Sequence, residues 1–118
     1  MKTRRLHSSL RKDLHQTARL LWLLAPPPDG KRVNLRIIRK LPADRLGDCS
    51  QTDKGYLIRL SADVVEQQPD AVWMLLAHEW AHALTWDNSV HNHGDAWGMA
   101  LAKAWRVITH ELGTGDTT

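Results

Sequence analysis

Residues 69–86 read PDAVWMLLAHEWAHALTW, and this stretch decides the fold. Pro69 and Asp70 are typical of the first positions of a helix, which we predict to run to about Trp86. Apolar residues cover nearly every side of that helix, a pattern that favours a buried central helix over a surface one. The ionisable groups at residues 78–82 therefore lie where an unpartnered polar group costs several kcal/mol. A bound metal that takes up the lone pairs of both histidines would remove much of that cost.

His78, Glu79 and His82 form an HExxH pattern on this helix. Four residues correspond to a rotation of about 400°, so the two imidazoles stack on one face roughly 6 Å apart, within reach of one Zn²⁺. Glu79, rotated by about 100° from His78, stands beside a water without taking a coordination position. The pattern predicts a metal hydrolase with Glu79 as catalytic base. The alternative is two core or surface histidines without metal and an exposed Glu79.

A catalytic zinc usually takes three protein ligands and leaves one position open for water. The residues that follow the helix offer these further ligands: Asp87, His91, His93, Asp95 and Glu111. We predict His93, because Gly94 behind it lets the backbone approach closely and turn into the last helix. His91 lies two residues earlier and would face elsewhere. His91 and an acid such as Asp95 remain the alternatives.

The rest of the chain predicts an α+β domain around this helix. Apolar residues spaced by three, four and seven predict an N-terminal helix over 6–24, which the Pro-rich turn at 26–30 ends. Period-two alternation predicts strands at 33–37 and 56–60, with room for a third near 48–52. Ser61 is expected to cap a short helix, and a last helix is predicted over 94–112. We expect one domain, residues 1–118, with a small two- or three-stranded sheet.

Charge is divided unevenly along the 118 residues. Residues 1–40 hold 11 Lys/Arg against two acids, whereas residues 41–118 hold five against 11. The basic front suits an anionic partner such as nucleic acid, and the alternative is a solvated helix and strand with no partner. Cys49 is the only cysteine, which excludes an intramolecular disulfide and a Cys-rich zinc ribbon. No stretch approaches the roughly 20 apolar residues of a membrane span, so we expect a soluble, cytoplasmic protein.

The segments His78-Glu79-Trp80-Ala81-His82-Ala83-Leu84 and His93-Gly94-Asp95-Ala96-Trp97 together resemble the SprT-like zinc metallopeptidases, a minimal zincin group. The resemblance extends over residues 33–112, which it identifies as the zincin core behind a basic helix and turn at 1–30. It implies one Zn²⁺ held by His78, His82 and His93, Glu79 as the catalytic base, and hydrolysis of peptide bonds. Some members act on DNA-bound proteins, and small phage-encoded versions look similar. The chain departs from the family at Ala96, where an acid is common.

The resemblance also implies that an extended substrate lies along an edge strand near Tyr56–Leu60. Tyr56 is expected to be a packing residue, with oxyanion stabilisation as its alternative role. Trp97 is expected to pack in the core, and its alternative role is to wall the metal site and orient His93. Three other functions stay open. One is a regulator-cleaving HExxH protease with an acidic third ligand, another an inactive, zinc-stabilised nucleic-acid-binding module, and the last a structural role without metal.

Overall fold

The structure, a computed structural model, describes the backbone of residues 2–86 and 94–113 and the side chains of residues 9–86 and 94–110. Its helices are α1 (Lys2–Leu24), α2 (Ala62–Gln67), α3 (Val72–Leu84) and α4 (Asp95–Gly113). Its strands are β1 (Arg32–Ile38), β2 (Gly47–Thr52) and β3 (Gly55–Ser61), with a 3-10 turn at Pro42–Asp44. This order of helices around one small sheet confirms the α+β prediction. His91 and His93 lie outside the described residues.

The three strands form one sheet in the order β1-β3-β2. β1 runs parallel to β3, and β2 runs antiparallel to it. The expectation of an edge strand near Tyr56–Leu60 is therefore wrong, because β3 is the central strand. No residue of β3 is exposed, which agrees with a strand that is flanked on both sides. Within the part of the chain that the structure describes, the sheet edges are β1 and β2.

The core lies between one face of the sheet and the helices α1, α3 and α4. Its fully or nearly fully buried members from the strands are Val33, Tyr56, Ile58 and Leu60. Those from the helices include Leu14, Leu21, Leu76, Trp80 and Ile108. Trp80 also donates its indole N–H to the carbonyl oxygen of Ala25 at 2.9 Å, which satisfies a buried donor and fastens α3 to the end of α1. The predicted interior position of the HExxH helix is confirmed.

The turns around the sheet are fixed by local hydrogen bonds. Asp29 accepts the backbone N–H of Lys31 through Oδ1 and the Tyr56 hydroxyl through Oδ2, at 3.0 and 2.8 Å. Both bonds lower the pKa of Asp29, the backbone bond more strongly. Tyr56 is only 2% exposed, and its hydrogen bond to Asp29 ties the Pro-rich turn to the sheet, so it is a packing residue.

Gly55 has φ +148°, and a Cβ there would lie 2.2 Å from the carbonyl oxygen of Arg32, so only glycine fits.

Ser61 caps α2 as the sequence predicts. Its Oγ accepts the backbone N–H of Asp63 at 3.1 Å, which satisfies one of the free donors of the first turn. None of the described helices combines the length and the apolar character needed to cross a membrane.

Candidate metal centre

The two motif histidines lie one turn apart on α3. Their ring centroids are 5.0 Å apart, and the rings meet at 68°. Both side chains are partly exposed, whereas the residues around them on the helix are largely buried. The helix therefore presents two imidazoles together at the border between the core and the surface.

This separation can be compared with what a shared zinc requires. A zinc about 2.0–2.1 Å from an imidazole nitrogen lies about 3.2 Å from the ring centroid, so a tetrahedral angle places two centroids about 5.2 Å apart. The observed 5.0 Å between His78 and His82 agrees with this value. Neutral imidazole is also a preferred zinc ligand. The spacing and the chemistry of the pair fit a single divalent ion.

Trp97, in the first turns of α4, packs against both imidazoles. Its ring centroid lies 5.0 Å from that of His78, edge-on at 71°, and 5.7 Å from that of His82, tilted at 41°. The sequence predicts Trp97 as core material, with a wall of the metal site as the alternative, and its contacts with both rings favour the alternative. Edge-on and tilted aromatic contacts of this kind favour particular orientations of the rings.

Glu79 follows His78 on α3, is rotated by about 100° from it around the helix axis, and is only 6% exposed. Burial and, to a smaller extent, the nearby charge of Asp48 raise its pKa to about 7, and the charge of Arg45 opposes this rise. Both charged neighbours lie at or next to β2, and Glu79 in turn raises the pKa of Cys49 on the same strand. Glu79 therefore faces β2, the edge strand that packs on α3. A carboxylate with a pKa near neutrality is matched to general-base chemistry.

The neighbours of Glu79 on β2 are themselves held in place. Asp48 receives two hydrogen bonds from Arg59 on β3, one of them from Nε to Oδ1 at 2.9 Å, across a directly paired position of the sheet. Arg45 lies 3.9 Å from Asp48 at the start of β2. Cys49 points into the core, and its burial raises the thiol pKa to about 12, so it stays a neutral thiol. Sequence analysis missed Asp48 and Arg45, because only strand pairing brings them to α3.

The charge of Asp48 yields a testable expectation. Asp48→Asn removes the negative charge that disfavours ionisation of Glu79 and leaves Arg59 without its partner, and both changes favour the charged carboxylate. We expect the pKa of Glu79 in the metal-free protein to fall, as followed by NMR titration of its side-chain carboxyl carbon. Asp44→Asn is the matched control, because Asp44 is exposed and Asn tolerates its φ of 54°. An unchanged or raised pKa in Asp48→Asn would contradict the assigned neighbourhood.

The structure brings the imidazoles of His78 and His82 together but does not describe the predicted third ligand. His93 and its alternative His91 lie outside the described residues. Among the residues that are described, no group of three or more His, Cys, Asp or Glu is arranged to hold a metal ion. Asp95 belongs to the described part and is exposed in the first turn of α4, and it stays an alternative third ligand. The choice of His93 stays a prediction.

Comparison with known proteins gives one result. The family model described as "SprT-like family" matches residues 6–112, which is most of the chain. No curated protein and no solved structure matches it.

Proposed function

This chain belongs to the SprT-like family, and on that premise we propose that it is a zinc-dependent metallopeptidase. The observation that carries the proposal is the paired imidazoles of His78 and His82, 5.0 Å apart, next to a buried carboxylate. The proposed metal ligands are His78, His82 and His93, and the proposed base is Glu79. When bound, zinc supplies the Lewis acidity that makes water nucleophilic near neutral pH.

The residues around the metal would then have separate roles in the reaction. Glu79 accepts a proton from the attacking water and passes it to the leaving amine, and its raised pKa suits it to do both. Trp97 holds the two imidazoles in their orientation. The Asp48–Arg59 pair fixes the strand that Glu79 faces.

The proposed substrate is an extended peptide of a protein. We place it along the edge strand β2 and not along β3, because β3 already pairs on both sides. β2 packs on α3 and has Glu79 as a neighbour, so a peptide added to its free edge runs past the base. The basic residues 1–40 support a further proposal, that some substrates are associated with nucleic acid.

Elemental analysis tests the proposal most directly. Wild-type protein purified with zinc is expected to carry close to one metal ion per chain, and His78→Ala is expected to lose it, because His82 and His93 alone bind a divalent ion weakly. His110→Ala is the matched control, since His110 is exposed on α4 away from the site, and it should retain the metal. Equal metal in all three proteins, or none in the wild type, would remove the basis of the proposal.

A further inference from the structure

A groove runs between α1 and β1 on the side of the sheet opposite to β2. It has a volume of about 410 Å³ and is lined by Arg11, His15, Leu35, Arg36, Ile37 and Ile38; we call it the α1–β1 groove. None of these residues belongs to α3 or β2, which carry the candidate metal centre. The whole sheet separates the groove from Glu79 and its neighbours.

The groove follows the edge of β1 and does not lie above one face of the sheet. Leu35 and Ile37 alternate with Arg36 and Ile38, so the first two point to the core face and the other two to the opposite face. All four residues line the groove. Because residues from both faces of β1 line the same groove, the edge of the strand lies toward the groove. Among the described residues β1 pairs only with β3, so this edge offers backbone N–H and C=O groups to an additional strand.

The groove is basic. Two guanidinium groups line it, and residues 31–40 contain five Lys/Arg and no acid. Arg11 contacts Glu66 on α2 at 3.4 Å, but both side chains are more than a third exposed, so water and salt screen the pair. Arg36 is exposed and forms no ion pair with any residue in the described ranges. These cations favour a partner with carboxylates.

The lining also distinguishes between two anionic partners. Single-stranded nucleic acid is held by aromatic side chains on which its bases stack, and among the described residues the small imidazole of His15 is the only aromatic ring that lines the α1–β1 groove. The groove instead offers an aliphatic wall and a free strand edge, which suit the alternating side chains and the backbone of a peptide. We propose that the α1–β1 groove binds an extended acidic segment of a partner protein, which adds a strand to β1. This site is independent of the proposed peptidase activity.

Fluorescence anisotropy with the full chain tests this site. The probe is a fluorescein-labelled peptide that alternates Glu and Val, and its mass is checked after the titration to show that it is intact. It is expected to bind, and Arg36→Glu is expected to weaken binding by about tenfold or more, because like charges then face each other. Arg106→Glu is the matched control, since Arg106 is exposed on α4, outside the groove, and it should bind as the wild type does.

Two further probes separate strand addition from general attraction. The same peptide with alternate backbone amides N-methylated keeps its charge but cannot pair with β1, and it is expected not to bind. A fluorescein-labelled oligodeoxythymidine is expected to bind no more weakly to Arg36→Glu than to Arg106→Glu. The proposal is overturned if the acidic peptide does not bind, if both Arg variants lose it equally, or if the N-methylated peptide binds as well. The proposal is also overturned if the oligonucleotide binds more tightly than the acidic peptide and Arg36→Glu weakens that binding, because the groove would then bind nucleic acid.

Discussion

Glu79→Gln is expected to abolish peptide hydrolysis while the protein keeps its metal. The substitution preserves the size of the side chain, but the amide cannot accept a proton from water. General-base catalysis contributes about 10²–10⁴-fold to the rate, so kcat should fall by about that factor. Metal content should stay at the wild-type level, because the proposed ligands are His78, His82 and His93 and Glu79 takes no coordination position.

Hydrolysis of an unfolded protein substrate, measured beside elemental analysis of the same samples, checks this expectation. Glu66→Gln is the matched control, since Glu66 is exposed on α2, and it should retain both activity and metal. A wild-type protein that binds metal and hydrolyses nothing would instead indicate the zinc-stabilised binding module. Loss of metal in Glu79→Gln would show that this carboxylate is a ligand or supports one.

The sequence predicts the parts of the site that local periodicity determines. The separation of His78 and His82 follows from the pitch of one helix, and the interior position of Glu79 follows from the apolar residues on every side of it. Both features depend on residues within two helical turns. These two features can therefore be predicted without any knowledge of the tertiary structure.

The strand order, by contrast, is not encoded in alternation. Alternation along residues 33–37 and 56–60 identifies strands and their buried faces, but strands at an edge and in the centre of a small sheet can share it. The central place of β3 depends on pairing with two partners, one of them across the turn at 53–54 and the other far away in sequence. For the same reason the neighbourhood of Glu79, with Asp48 and Arg45, becomes visible only when β2 is placed on α3.

Trp97 illustrates a third case, in which the sequence leaves two roles open, packing in the core and a wall beside the metal site. Helical spacing on α4 identifies it as a packing residue, and it does pack. Its partners are the two imidazoles, because α4 returns along α3 and places its first turns beside the motif. The angle at which two helices cross depends on all the side chains between them, and no single spacing in the sequence specifies it.

Stability of the metal-free protein should depend on pH through Glu79. Burial raises its folded pKa to about 7 from 4.5, so the charged form is disfavoured in the folded state. A raised carboxyl pKa contributes stability below pH 4.5 that is lost as pH rises through 7. Each unit is worth about 1.4 kcal/mol, which gives Glu79→Gln an advantage over wild type of up to about 3 kcal/mol at pH 8 and little at pH 4.5. Urea unfolding of both proteins in chelator measures this difference, and a difference that does not change with pH would show that Glu79 ionises in the folded protein without the cost its burial implies.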